Sequence, residues 1–382
     1  MFSDFVWPVL FGLYVAATLA QLVVWWGIFR KLEIGNWQSN IAEPFISNAQ
    51  PPVSVIICAR NEADNLRRFL PKILEQEYPG EWEIVVVDDA SEDDTLAVLK
   101  LFQEKNPRLH AVRVFEKKHL GKKHALAQGI AAAKFDRFLL TDADCEPASP
   151  HWLAHMATVL NEKPATEIVL GYGPMREGKG WLNGWSRFET AHTAIQYFSF
   201  ALAGMPYMGV GRNLAFKRQA YERVGGFAAH ADLPSGDDDL LVNAVANARN
   251  TAICLHPEAF MFSESKKTWR DWARQKRRHL SAGHRYRPRH QAMLTLLSLS
   301  HTLHFFLLVV LLLAGFGTVS VVLLYLVRSC SLLFLYGKIL PRLREFHLFS
   351  RIPIYDTLLA AYYGAFVPLS LIAPRSARSA WK

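Results

Sequence analysis

Two apolar runs in this chain stop at paired carboxylates. Ile84-Val85-Val86-Val87 ends at Asp88-Asp89, and Phe138-Leu139-Leu140 ends, after Thr141, at Asp142-Ala143-Asp144. Short apolar runs bounded by polar residues read as buried strands. In an open α/β sheet a ligand binds beyond the carboxyl ends of the strands, so all four acids fall where a ligand arrives. On a continuing strand, residues two apart point the same way, which sets Asp142 and Asp144 side by side. Paired carboxylates suit a hard divalent cation that bridges protein to substrate phosphates. Asp is also common in strand-end turns, so the pair gains its weight from the motifs around it.

Those motifs alternate. Val53 to Cys58 is a further strand, followed by Ala59-Arg60-Asn61-Glu62 and a helix that Asp64 is placed to cap. A helix is predicted from Thr95 to Glu104, a strand from Leu109 to Val114, and another helix after Gly121-Lys122-Lys123. Ile168 to Tyr172 and Arg212 to Phe216 read as strands, and Tyr221 to Phe227 as a helix ending at glycine. Ser235-Gly236-Asp237-Asp238-Asp239-Leu240 opens a helix through Ala246, and Trp269 to Ser281 is a strongly basic helix. Strands alternating with helices predict a mostly parallel sheet with right-handed crossovers. Gly180 to Met208, aromatic and poor in charge, reads either as a helix lying on a membrane surface or as a core helix.

The apolar excess lies at the two ends. Of 382 residues 51% are hydrophobic and 20% charged, against about 25% charged in soluble proteins. Phe5 to Phe29 is long enough to span a bilayer, and lacks the basic start and cleavage signal of a secretory leader. Arg30-Lys31 follows it and places that end in the cytoplasm. Residues 32–51 read as a linker. Leu296 to Phe316, Val319 to Tyr336 and Ile354 to Ile372 are three further candidate spans; Arg328 lies in the second, where a charge must face protein or water. If all three span, the tail Arg375 to Arg378 falls on the outer side, against the positive-inside tendency. The expected organisation is a membrane anchor over 1–31, a catalytic domain over 50–290 and a membrane region of two to three helices over 291–382.

The net charge of +9 clusters beside these apolar segments, which favours a membrane surface over nucleic acid. The four cysteines form no C-x-x-C pair and call for neither zinc nor disulfides. Four carboxylates at one sheet edge repel each other unless a cation joins them, and a divalent metal with a nucleotide diphosphate resolves the conflict. Lys122, Lys123 and Arg60 are cations able to meet phosphate oxygens.

Taken in order, Val53 to Glu62, Val85 to Ser91, Gly121 to Leu126, Asp142-Ala143-Asp144, Gly211 to Phe227 and Gly236 to Leu240 resemble the family 2 glycosyltransferases, over about residues 50–285. That resemblance implies an α/β catalytic domain of the GT-A type, Rossmann-like and flanked by transmembrane helices. It implies inverting transfer from a nucleotide-sugar with Mn2+ or Mg2+. Residue by residue, it implies that Ala59, Arg60, Glu62 and Asp89 line the nucleoside pocket with Lys122 near it. Asp142 would approach the ribose or diphosphate and, with Asp144, the metal. The general base falls at Asp237, with Asp238 the other register, since Gly236 replaces the family's Glu. Gln275 and Arg278 resemble the Gln-x-x-Arg-Trp element that meets acceptor and diphosphate, with His279 in place of Trp. A juxtamembrane basic helix attracted to anionic lipid is the other reading of that stretch.

The expected activity is transfer of a sugar to a lipid or lipid-linked glycan at the cytoplasmic face of the cell membrane, by a multi-pass protein that takes no nucleic acid. A processive polysaccharide synthase and a non-catalytic nucleotide-binding scaffold are the competing classes. The first needs a channel that three or four spans seldom make, and the second has no use for a base. Donor sugar, nucleotide base and oligomeric state are not legible.

Overall fold

The structure, a computed structural model, describes residues 2–34, 50–115, 121–233 and 235–372. Most of the linker and the tail Arg375 to Arg378 lie outside them. The chain opens with α1 (Phe2–Val24), which passes through a π-helical turn (Trp25–Phe29) into α2 (Arg30–Ile34). There follow β1 (Val53–Ala59), α3 (Ala63–Leu74), β2 (Trp82–Asp89), α4 (Thr95–Lys105), β3 (Leu109–Val114), α5 (Lys123–Ala132), β4 (Arg137–Asp142) and β5 (Cys145–Pro147). Then come α6 (Trp152–Glu162), β6 (Ile168–Gly171), α7 (Trp181–Leu202), β7 (Leu214–Lys217), α8 (Arg218–Arg223), α9 (Asp239–Val245), β8 (Thr251–Cys254), β9 (Met261–Ser263) and α10 (Trp269–Leu280). The last helices are α11 (Pro288–Leu313), α12 (Thr318–Ile339), α13 (Ile352–Ala361) and, after a second π-helical turn, α14 (Val367–Ile372). Contacts divide the described residues into two units, one made of those up to Ile34 and from Arg287 to Ile372, the other of those between Ile34 and Arg287.

The middle unit is built on a seven-stranded sheet in the order β3-β2-β1-β4-β7-β6-β8. β1 to β4 are parallel, β7 runs against both its neighbours, and β6 and β8 are parallel to each other. The chain moves outward from β1 through β2 to β3, then returns to the other side of β1 with β4. Such a reversal opens a crevice at the carboxyl ends of the two central strands. One face of the sheet packs Val55, Ile57, Val86 and Leu139 against Leu66, Trp152 and Met156. On the other face α5 lies close, and a Cβ on Gly129 would meet Ile56 and Val87 at 2.8 and 2.9 Å.

Several expectations shift locally. Glu62, not Asp64, precedes α3; Asp64 stands in its first turn, where a carboxylate favours the helix dipole. Gly211–Asn213 is a 3-10 turn, so β7 starts at Leu214. The helix expected over Tyr221 to Phe227 lies earlier, as α8, and Gly225 and Gly226 take φ of +68° and +65° beyond it. α9 begins at Asp239, leaving Ser235 to Asp238 as its lead-in. Within Gly180 to Met208, α7 (Trp181–Leu202) is a core helix: Trp185, Phe188, Ile195, Tyr197, Phe198 and Phe200 are all buried.

In the other unit three helices are long and apolar enough to cross a membrane: Phe5–Ile34, Pro288–Leu313 and Thr318–Ile339. The third C-terminal segment is broken at Tyr362–Phe366 into shorter helices. Arg328 on α12 is fully buried and pairs with Asp356 on α13. Its Nε and Nη2 donate to the Gln21 side-chain oxygen at 3.0 and 2.8 Å, and Trp25 and Phe305 rings cover it at 4.9 Å. The charge within the span thus faces protein on every described side.

Candidate active site

The carboxyl ends of β1, β2 and β4 gather the predicted acids. Cys58 stands level with Asp142, Ala59 stands level with Asp88, and Asp89 follows, buried. Asp88 is spent on the turn, accepting from the Ser91 backbone N–H at 3.0 Å. β4 does not continue through Asp144. The chain turns at Ala143-Asp144 into β5, whose Cys145 pairs with Ser263 on β9. This turn, not strand alternation, brings the acids together: donor atoms of Asp142, Asp144 and Cys145 all lie within 4.8 Å of one another.

Lys122, immediately before α5, is buried and pairs with Asp142. Burial opposes the charge on both partners, but their attraction outweighs it, so Asp142 is held below the usual carboxylate range and Lys122 above that of a free lysine. Asp144 is pushed the other way, by burial first and by the charge of Asp142 second. Two adjacent acids with opposite shifts, one already neutralised by a lysine, leave Asp144 as the group that gains most from an added cation. The buried Cys58 thiol, raised to about 12 by burial, lies in the field of Lys122, Asp237, Asp142 and Asp89 together. Asp237 is thereby placed in the same neighbourhood as the strand-end acids.

The acidic run before α9 splits into unlike groups. Asp238 accepts from the backbone N–H groups of Gly211 and Asp239, at 2.5 and 2.8 Å. Burial, with the charges of Asp237 and Asp239, pushes its carboxyl up to about 7. Asp239 accepts from the Tyr286 hydroxyl at 2.6 Å and from Leu240 N–H at 2.8 Å; burial sends its carboxyl up to about 6 against the Tyr286 bond. Asp237 is the half-buried acid whose field acts on Lys122 and Lys123. Lys123, a candidate phosphate ligand by sequence, instead donates to the carbonyls of His230 and Leu233, at 2.5 and 3.1 Å, and so secures the loop that leads to Asp237.

Arg60 follows β1 half-buried, its Nε without a hydrogen-bond partner among the described residues. Glu62 is half-buried beside it and accepts from Asn65. Arg278 on α10 acts on Asp142, and its carbonyl accepts from Ser235 Oγ at 3.0 Å, fastening α10 to the lead-in of α9. Gln275 lies one turn earlier on α10, half-buried, and His279 is exposed. Sequence reasoning overlooked three participants. Arg212 and Lys266 each act on Asp144, and Tyr286 holds Asp239. Their local sequence gives them no stated part in the site, because each is set near the acids only by the fold.

Comparison with known proteins fits this geometry. The glycosyltransferase-like family 2 profile matches residues 51–282. The chain is 28% identical over 254 residues to the probable glycosyltransferase YdaM of Bacillus subtilis, covering 64% of this chain and 57% of that protein. It is 26% identical over 188 residues to a beta-monoglucosyldiacylglycerol synthase of Nostoc, covering 48% and 39%. The matched stretch therefore spans less than two thirds of the length of either relative. Among solved structures, the mannosyltransferase PcManGT of Pyrobaculum calidifontis, in complex with GDP-Man and Mn2+, aligns with a TM-score of 0.59 and 23% identity over 94% of this chain and 99% of that one. That likeness is one of fold, and the fold is GT-A.

Proposed function

The chain belongs to the glycosyltransferase-like family 2, and on that premise we propose that it moves a sugar, with inversion, from a nucleotide-sugar to a lipid or lipid-linked glycan at the cytoplasmic face of the cell membrane. The observation that carries this reading is the meeting of Asp142 and Asp144 at the carboxyl edge of β1 and β4, with Lys122 and Asp237 in the same field. A scaffold that only bound a nucleotide would have no use for a general base.

Asp142 and Asp144 are the residues that would hold Mn2+ or Mg2+. Their hard oxygens, one raised in pKa by burial and then by its neighbour's charge, fit such an ion. When bound, the ion neutralises charge on the departing diphosphate. Ala59, Arg60, Glu62 and Asp89 border the crevice where the nucleoside would lie, and Lys122 stands at its floor. Asp237 is the base. It takes the proton from the acceptor hydroxyl as that oxygen bonds to the anomeric carbon; the bond from that carbon to the diphosphate breaks, and its electron pair leaves with the diphosphate. Asp238 positions it by tying the lead-in of α9 to Gly211. Gln275 and Arg278 face acceptor and diphosphate from α10. His279, exposed, stands where the Gln-x-x-Arg-Trp element of processive synthases and some lipid glycosyltransferases carries Trp, and that substitution counts against processive transfer. The three apolar helices and the glycolipid synthase relative support a lipid acceptor, and Arg30-Lys31 supports the cytoplasmic side.

Purified full-length protein, given radiolabelled UDP- and GDP-sugars, Mn2+ and membrane lipid, should release nucleoside diphosphate and label a lipid. Asp144→Ala should lower both by about a thousandfold, in the range of losing a central electrostatic group. Undiminished turnover in Asp144→Ala would refute the assignment.

A further inference from the structure

Resting on that reading, we propose that Arg212 is a diphosphate-binding residue of the donor site, a second cation opposite Lys122. Arg212 belongs to the 3-10 turn before β7. Its neighbour Asn213 is locked in the core, accepting from Trp152 Nε1 at 3.0 Å and donating to the carbonyls of Tyr172 and Ala259 at 2.8 Å. The backbone at Arg212 therefore has little freedom. The side chain runs across Gly173: a Cβ there would stand 2.2 Å from the Arg212 Nε. Only a residue without a side chain leaves that path open.

The far end is tethered beside the acids. Arg212 Nη1 donates to Ser263 Oγ at 3.3 Å, and Ser263 is the strand partner of Cys145, next in sequence to Asp144. Its Nε is buried and has no hydrogen-bond partner among the described residues. A guanidinium offers five donors in a planar fork that matches phosphate oxygens. Leaving one buried and unpaired costs free energy comparable to a lost hydrogen bond, which an incoming anion would remove. The Asp142 and Asp144 carboxylates lie within its field and are separately served by Lys122 and the proposed cation. A phosphate entering beside these acids would meet the Arg212 fork. The leaving diphosphate would then meet Lys122 on one side, Arg212 on the other and Arg278 from α10.

The test measures binding of UDP, GDP, UMP and GMP, each with Mn2+, to the full-length protein in detergent by calorimetry. Wild type should prefer one diphosphate over its monophosphate. Arg212→Gln should weaken the diphosphate by about tenfold to a hundredfold and the monophosphate by less than about twofold, as expected for loss of one charge-assisted pair. Arg212→Lys should recover part of the loss. Gly173→Ala, which crowds the side chain without removing its charge, should weaken the diphosphate in the same selective way. Equal loss of both nucleotides, or an unchanged diphosphate affinity in Arg212→Gln, overturns the inference and leaves the proposed function standing. If wild type binds none of the four, the donor reading itself falls and this inference with it.

Discussion

Asp237 and Asp238 are adjacent in sequence, and the proposed function gives them different uses. Asp238 already answers two backbone N–H groups, so Asp238→Asn turns an amide N–H toward one of them and should cost about 1–3 kcal/mol of stability. Asp237→Asn should leave the thermal midpoint within a degree or two and abolish transfer. Melting curves and initial rates on both variants decide between the two registers: a stable but inactive Asp238→Asn beside an active Asp237→Asn would exchange the roles. Asp144 predicts a pH effect of definite sign. Burial and the charge of Asp142 make its carboxyl keep a proton to higher pH than a free aspartate. A metal ligand must release that proton, so the Mn2+ concentration for half-maximal activity should rise as pH is lowered from neutrality. An unchanged requirement across that range would argue against Asp144 as a ligand. These acids were legible because each sits in a short local motif. Arg212 was not, since its part depends on Gly173 and Ser263, distant in sequence and silent until folded.

At the scale of elements, the strands of the α/β unit were the clearest signal, because β1, β2 and the middle of β4 are buried on both faces and read as unbroken apolar runs. What escaped was direction and termination. Nothing in Leu214–Lys217 announces that β7 runs against its neighbours, since a short buried strand has the same composition either way. The stop at Asp142 was equally hidden, because a turn of two residues leaves little trace in a hydrophobic pattern. α7 was ambiguous for a related reason: it buries nearly its whole circumference and so lacks a polar face. The packing of α5 is testable. Gly129→Val would drive a branched side chain into Ile56 and Val87, and should cost about 1–3 kcal/mol. Thermal unfolding measures it; loss of less than a degree would mean the helix can withdraw from the sheet.

For the molecule as a whole, the network around Arg328 joins helices far apart in sequence. Removing one member of a buried ion pair strands the other and costs about 3–5 kcal/mol, whereas replacing both with apolar residues is often nearly neutral. Arg328→Leu and Asp356→Leu should each lower the midpoint of unfolding in detergent, and the double variant should recover most of the loss; additive losses would show that the pair itself contributes nothing. A consequence concerns synthesis. Gln21 leaves the ribosome 307 residues ahead of the Arg328 it will accept from. Through all of that interval α1 carries an amide with its designated donor not yet made. Its nitrogen can donate to the Ala17 carbonyl within α1, but its oxygen needs another donor until translation reaches α12. Shortening the wait, by supplying α11 to α14 beforehand as a separate polypeptide, should speed the acquisition of protease resistance by newly made α1.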